Sequence, residues 1–248
     1  MNIPAEEGYK HLGEIKRSYQ NMIVNDFKQK KLNIDRSVTE WPRTGKLEFE
    51  HFSVKYRSDL DYVLKNITFK LETGTKLGIL GRTGAGKTTL ISSVFRYFAQ
   101  FEGDIFIDDV RIRDLDIQRL RSSMTIIPQD PILFHTTLKK NLDPDDAHSD
   151  QEVESVLKDV KLWDKFKDQG VNYMIEPGGS NLSQGEKQLL CFGRALLKNN
   201  KLILMDEATA NIDAFTEKTI QQLMQEKFTR STIMMIAHKL NTVMICNK

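Results

Sequence analysis

The sequence predicts an α/β protein with a mainly parallel, covered sheet, a small antiparallel β region ahead of it, and a helical insertion. Three observations carry this. Short apolar runs recur at Ile105–Ile107, Met124–Ile127, Leu202–Met205 and Thr232–Ile236, with helical patterns separating the later ones. Strands covered on both faces read as continuous apolar runs, and a βα alternation places them in a parallel sheet. Upstream, Leu47, Phe49, Phe52, Val54 and Tyr56 roughly alternate with polar residues, the pattern of a half-buried strand. Between Gln129 and Lys201 the pattern turns helical.

Taken in order, residues 1–45 are polar and weakly periodic, and Asp26–Lys31 is a basic-leaning run, most simply a solvated linker. Trp41-Pro42 punctuates the chain and Gly45 precedes the first strand pattern, Leu47–Tyr56. Ile67, Phe69 and Leu71 suggest a second strand. Lys76–Leu80 reads as a short strand, followed by a Gly-rich turn and a helix expected over Thr88–Phe98. Ser149 and Glu152 form a capping-box pair ahead of Val153, Val156, Leu157 and Val160, which share one helix face.

The chain has 248 residues, enough to bury a sizeable core. Its net charge of +2 lacks the footprint of a dedicated nucleic-acid binder, so no nucleic-acid partner is expected. The two cysteines, Cys191 and Cys246, have no metal-ligand spacing, and Cys191 lies in an apolar helical run that suits a small core residue. This usage fits a reducing compartment. No apolar stretch with a cleavage site marks the N-terminus, and none approaches the roughly 20 residues that span a bilayer.

The chemistry concentrates at Gly81-Arg82-Thr83-Gly84-Ala85-Gly86-Lys87-Thr88, which fits the phosphate-loop pattern G-x-x-x-x-G-K-S/T in full. Glycines let the backbone wrap phosphate oxygens with N–H groups pointing inward. Lys87 supplies a mobile positive charge, the Thr88 hydroxyl can ligate Mg²⁺, and the helix that follows adds its positive end. A glycine turn opening a helix would look similar. By average residue frequencies, however, the pattern arises by chance in about one chain in a hundred of this length. A second element supports it: Leu202–Met205 is a buried-strand pattern that ends in Asp206-Glu207. A carboxylate at such a strand end can hold Mg²⁺, and its neighbour can orient or deprotonate an attacking water.

Many nucleotide hydrolases share these two motifs. Asn181-Leu182-Ser183-Gln184-Gly185-Glu186-Lys187-Gln188, ahead of the Asp206-Glu207 strand, resembles the LSGGQ signature of ABC ATPases. Gln129 in Ile127-Pro128-Gln129 resembles the Q-loop, Ala210-Asn211-Ile212-Asp213 the D-loop, His238 the switch histidine, and Tyr56 the aromatic that stacks on adenine. Taken singly, Gln129 could be a turn residue, His238 a strand-end histidine and Tyr56 a sheet aromatic. Together and in order they mark the family, from about Leu47 to Val243. Trp41-Pro42, Tyr56–Leu60, Ile126–Pro131, Asn141–Pro144 and Leu240–Thr242 are similar to the second nucleotide-binding domain of C-subfamily exporters, the multidrug-resistance-associated type.

The resemblance implies an ATP-binding, ATP-hydrolysing cassette that powers transmembrane export from the cytoplasmic face of a membrane. Residues 1–45 would be the linker from the last membrane helix, residues 46–248 the cassette, and about 130–200 its helical subdomain. Tyr56 would stack on adenine, with Gly81, Arg82, Thr83, Gly84, Ala85, Gly86, Lys87, Thr88 and Thr89 holding ATP. Thr88, Asp206 and Gln129 would organise Mg²⁺, Glu207 would activate water, and His238 would stabilise the γ-phosphate. Ser183, Gln184, Gly185 and Glu186, with Asp213 of the D-loop, would serve the nucleotide of a second nucleotide-binding domain packed head to tail. The partners implied are that domain and the transmembrane domains.

Two departures qualify this. Gln184 and Glu186 stand where LSGGQ has glycine and glutamine. Ser183-x-x-Glu186 is also a capping box, but a carboxylate beside a partner's γ-phosphate would repel it, so asymmetric turnover of the two ATP sites is expected. The family also continues past the switch histidine with further strands and helices. Met244–Lys248 does not obviously continue that pattern, so a truncated end and poor stability in isolation are expected. A catalytically silent ATP-binding fragment and a soluble, non-transport ABC ATPase stay open as alternatives.

Overall fold

A computed structural model describes residues 41–210, 212–237 and 246–247. Most of the expected linker (1–40) and the expected switch histidine, His238, lie outside the described residues. The first part of the chain runs β1 (Leu47–Lys55), β2 (Leu64–Leu71), β3 (Lys76–Ile79), α1 (Lys87–Val94), β4 (Gln100–Ile107) and β5 (Val110–Arg111). Then come α2 (Ile117–Ser122), β6 (Met124–Ile127), α3 (Leu138–Leu142), α4 (Asp150–Asp159), α5 (Trp163–Phe166) and α6 (Gln184–Lys198). Last are β7 (Leu202–Asp206), α7 (Ala214–Glu226) and β8 (Thr232–Ile236).

The strands form two four-stranded sheets, β2-β1-β4-β5 and β3-β8-β7-β6. Every pairing in the first is antiparallel, and every pairing in the second is parallel. The Ile105–Ile107 run, counted from sequence with the parallel strands, belongs instead to β4 of the antiparallel sheet, where it pairs with β1 (Leu47↔Ile107). Ile105 and Ile107 are buried and Phe106 is not, so the strand covers the core with one face only. Asp108 (φ 48°) and Asp109 (φ 62°) then turn it back into β5, two left-handed residues of the kind a tight hairpin with the right twist needs.

The parallel sheet is covered on both faces, and its residues alternate between two cores. Ile203, Met205, Ile233 and Met235 face one side with α3–α7. Leu202, Leu204, Met234 and Ile236 face the other with α1 and the antiparallel sheet. Each such side chain, fully buried, contributes about 1.5–3 kcal/mol. Cys191 belongs to the first core, and burial pushes its thiol above the usual range, as an inert core residue requires. β3 is the edge of the parallel sheet and is half-buried along its length. Asn247 lies beside it, bonding both the N–H and the carbonyl of Lys76.

The helix expected over Thr88–Phe98 ends earlier, at Val94. Arg96 takes a left-handed conformation (φ 53°), the Tyr97 N–H bonds the Ser92 carbonyl, and the Arg96 N–H bonds that of Ser93. This is a Schellman-type stop with arginine where glycine is usual. The Arg96 guanidinium bonds the carbonyls of Ile112 and Leu115, which fixes the turn. Phe95, Tyr97 and Phe98 then pack into the second core instead of continuing the helix. The Ser149–Glu152 capping box is present at α4.

The segment just before β1 is tied to the β4–β5 turn. Trp41 Nε1 donates to the Ile107 carbonyl at 2.9 Å, and Asp108 accepts from the N–H groups of Thr44 and Lys46, each at 2.8 Å. Burial pushes the Asp108 carboxyl up, but the Thr44 hydroxyl and these N–H groups outweigh it and hold it below the usual carboxylate range.

Candidate nucleotide-binding site

All four parallel strands end at one edge of their sheet, where ligands of open α/β sheets bind. The loop after β3 is the glycine-rich Gly81–Gly86 segment, and Asp206-Glu207 closes β7 two strands away. Pro128-Gln129 leaves β6 at the same edge. The sheet alone therefore assembles the phosphate loop and the paired carboxylates.

The loop itself is exposed from Gly81 to Ala85. Gly86 caps α1 with φ 85°, and a Cβ there would stand 2.9 Å from Leu64 Cδ2, so only glycine fits both the backbone and the β2 side chain. A Cβ on Gly84 would meet nothing within 4 Å, which leaves the mouth of the loop open. Lys87 is buried at the start of α1, and its ammonium folds back on the loop, donating to the carbonyls of Gly81 (2.8 Å) and Arg82 (3.1 Å). The ammonium is thereby placed to meet phosphate oxygens once they displace these carbonyls.

Thr88 and Asp206 come together: the hydroxyl donates to the carboxylate at 3.2 Å. Burial pushes the Asp206 carboxyl above the usual range; the Thr88 hydroxyl opposes this, Glu207's charge adds to it, and Lys87 opposes it again. The sign matters. A carboxylate raised on folding disfavours the folded state as pH climbs through its titration, so ionised Asp206 is a net cost to the ligand-free protein. A divalent cation would remove that cost, and a hydroxyl with a carboxylate is the hard-oxygen donor pair Mg²⁺ takes. Asp206→Asn should therefore raise the ligand-free melting temperature slightly, on the order of 1–3 °C, while abolishing the extra stabilisation that Mg²⁺ adds to ATP. Thermal melts with and without Mg²⁺ check both halves, and a destabilised ligand-free variant would contradict this account.

Glu207 is the first residue past β7 and has φ 50°. Its N–H donates to the Ile236 carbonyl at 3.1 Å, and its own carbonyl accepts from Ala210 at 2.9 Å. Tyr56 comes from the other sheet, just past β1. Its hydroxyl lies 2.9 Å from that of Thr89 and its ring meets Phe98 edge-on, while more than half of the residue stays exposed. Gln129 is exposed, and its segment is held by Gln188 of α6, which donates to the Pro128 carbonyl at 3.2 Å.

The structure thus joins Tyr56, Lys87, Thr88, Thr89, Asp206 and Glu207 around one loop. The bonds of the Ser183–Glu186 segment form a second group. Ser183 caps α6 in a reciprocal box with Glu186, and Asp213 caps α7 through the N–H and hydroxyl of Thr216. A Cβ on Gly185 would lie 2.5 Å from the Thr216 hydroxyl and 2.9 Å from an Asp213 oxygen. The expected signature and D-loop residues are therefore packed directly on one another. One functional candidate escapes a reading of the sequence: both Glu186 oxygens lie 2.7 Å from Lys165 Nζ. Lys165 is 21 residues upstream across irregular chain, and no periodicity links the two.

A glycine loop between a parallel strand and a helix, faced by a strand-end carboxylate bonded to the loop's threonine, defines a P-loop nucleotide-binding domain of the α/β class. Residues 64–210 match the ABC transporter family. The chain is 42% identical over 219 residues to ATP-binding cassette sub-family C member 3 of Rattus norvegicus, covering 88% of this chain and 14% of that protein. It is also 42% identical over 234 residues to the ATP-dependent bile acid permease of Saccharomyces cerevisiae, covering 84% of this chain and 14% of the permease. A bacterial Atm1-family ABC exporter, solved with ATP bound, superposes with a TM-score of 0.75 at 32% identity, over 81% of this chain and 36% of that one. The chain belongs to the ABC transporter family, as an ATP-binding cassette homologous to C-subfamily exporters. It spans about one seventh of the length of these curated relatives, and no described helix is long and apolar enough to cross a membrane.

Proposed function

We propose that the chain binds Mg-ATP and hydrolyses it at the cytoplasmic face of a membrane, as one half of a head-to-tail ATP sandwich that powers export. Its place would be the second nucleotide-binding domain of a C-subfamily transporter. Residues 1–45 would link it to the transmembrane domains, and about 130–200 would form its helical subdomain. The observation that carries the reading is the bond from Thr88 of the phosphate loop to Asp206 at the end of β7.

The chain's own residues divide the work. Tyr56 offers its exposed ring to adenine, and the Gly81–Thr89 loop and helix end hold the phosphates with Lys87. Thr88 and Asp206, together with Gln129, would hold Mg²⁺, which when bound neutralises charge on the β- and γ-phosphates. Glu207 orients the attacking water and takes up its proton, and His238 stabilises the γ-phosphate. Phosphoryl transfer of this kind needs positioning and charge neutralisation more than covalent help. Ser183, Gln184, Gly185 and Glu186, with Asp213 packed behind them, serve the partner's nucleotide. The near-neutral net charge of +2 gives no reason to expect a nucleic-acid partner.

The test is phosphate release from Mg-ATP by the chain, with and without a chelator. Release that stops on chelation supports the reading. A chain that neither binds Mg-ATP nor releases phosphate rejects it.

A further inference from the structure

Glu186 brings a negative charge to the N-terminal end of α6, beside the exposed Ser183 and Gln184. Its carboxylate accepts the Ser183 N–H at 2.8 Å, and the Ser183 hydroxyl accepts the Glu186 N–H at 3.2 Å. A glutamine could make the same cap, so capping alone does not require the charge. The charge is met by Lys165 of α5, whose ammonium sits 2.7 Å from both oxygens. Burial pushes the Glu186 carboxyl up, but the Lys165 ammonium and the Ser183 N–H outweigh it and keep it ionised. The adjacent Lys187 does not share this task, because it donates to the Gly178 carbonyl at 2.9 Å.

Both partners are partly exposed, with side chains 36% and 24% accessible. Ion pairs of that kind add little to stability, because solvent screens them and ordering long side chains costs entropy. What such a pair does change is the local field. An unpaired Glu186 would oppose any phosphate approaching this helix end, whereas a paired one leaves the helix's own positive end to act.

We propose that Lys165 is a positioning residue of the signature face: by neutralising Glu186 it lets this helix end dock on the phosphates of a nucleotide held by a partner domain. This rests on the reading that the Ser183–Glu186 segment completes a partner's site. It also removes the ground for expecting that site to repel ATP. The pair acts as a unit, an acidic cap made tolerable by a lysine from a separate helix.

The test uses the whole chain carrying Glu207→Gln to slow hydrolysis, with Mg-ATP-dependent self-association followed by sedimentation. Lys165→Met should weaken association about tenfold or more, with the nucleotide-free melting temperature unchanged. Lys165→Arg should retain association, and Glu186→Gln added to Lys165→Met should restore it. Ser183→Arg, which blocks the helix end by bulk, is the control for the underlying reading. If Ser183→Arg abolishes association but Lys165→Met does not weaken it, the role of Lys165 is rejected and the sandwich stands. If Lys165→Met weakens association and Glu186→Gln fails to restore it, charge compensation is likewise rejected. If the starting chain does not associate with ATP, or Ser183→Arg associates as it does, a sandwich completed through this segment by a second copy of the chain fails, and the role of Lys165 fails with it.

Discussion

Replacing Glu207 by Gln should lower phosphate release by about 10²–10⁴-fold while leaving ATP binding intact, the range expected on removing a general base. The backbone reason is local. Glu207 follows β7 directly, its N–H is held by Ile236 of β8, and its carbonyl is held by Ala210. Its left-handed φ of 50° is one that non-glycine residues rarely adopt, so the surrounding bonds are maintaining a strained position. A glutamine of the same shape keeps that frame and loses only the capacity to accept a proton. On the proposed reading, binding depends instead on Lys87, Thr88 and the loop, which the change does not touch. Equilibrium binding of a fluorescent ATP analogue and single-turnover release separate the two effects. If release is substantial and equal in the parent and the variant, Glu207 is not the base; if neither releases phosphate while both bind ATP, the chain is a silent ATP-binding module. If binding is lost together with release, Glu207 has a structural role in the loop.

The contrast with Asp206 sharpens the assignment. Asp206 is bonded to Thr88 of the loop, a hard-oxygen donor pair of the kind a divalent cation takes, which leaves the base's role to its neighbour. Two adjacent carboxylates with different surroundings are the usual way to separate such roles. The pair could be read from sequence because a buried apolar strand must end at solvent, and the residues that end it sit at the ligand-binding edge of the sheet. The phosphate loop was legible for the same kind of reason. Phosphate chemistry leaves few alternatives to glycine, lysine and a hydroxyl at those spacings.

What was not legible depended on contacts distant in sequence. The strand at Ile105–Ile107 carries an apolar run as the parallel strands do, and only its pairing with β1 reveals that one face is wet. The end of α1 at Val94 is set by an arginine whose guanidinium reaches carbonyls more than a dozen residues away, not by a glycine or proline that a reader would notice. Glu186 was legible as a cap, because Ser183-x-x-Glu186 is local, but its neutralisation by Lys165 was not. Asp213 is a similar case. Its cap on Thr216 is a short-range pattern, whereas the contact of both with Gly185 joins two helices that no spacing relates.

Gly103→Ala should destabilise the chain by several kcal/mol, roughly the sum of about 1–2 for left-handed strain and about 1–3 for overpacking. Gly103 lies in β4 with φ 74°, where an added Cβ would stand 2.4 Å from the His51 carbonyl oxygen and 2.5 Å from that of Glu50. Neither atom can give way cheaply, because both belong to the backbone of β1. The register between β1 and β4 shifts at this point, between Glu50 and Ser53, and His51 itself is left-handed (φ 48°). The glycine is therefore the residue that lets the two strands pass through the irregularity. Its effect should reach the nucleotide site through the sheet. Beyond the irregularity, Ser53, Val54 and Lys55 pair with Glu102, Phe101 and Gln100, and Tyr56 follows directly. Moving β1 away from β4 moves the Tyr56 ring relative to Phe98 and Thr89, to which it is joined. A denaturant melt should show the loss of stability, and ATP affinity measured below the transition should fall while affinity for inorganic triphosphate, which has no base to stack, holds. Equal losses for both ligands would mean that the disturbance reaches the phosphate loop rather than stopping at Tyr56.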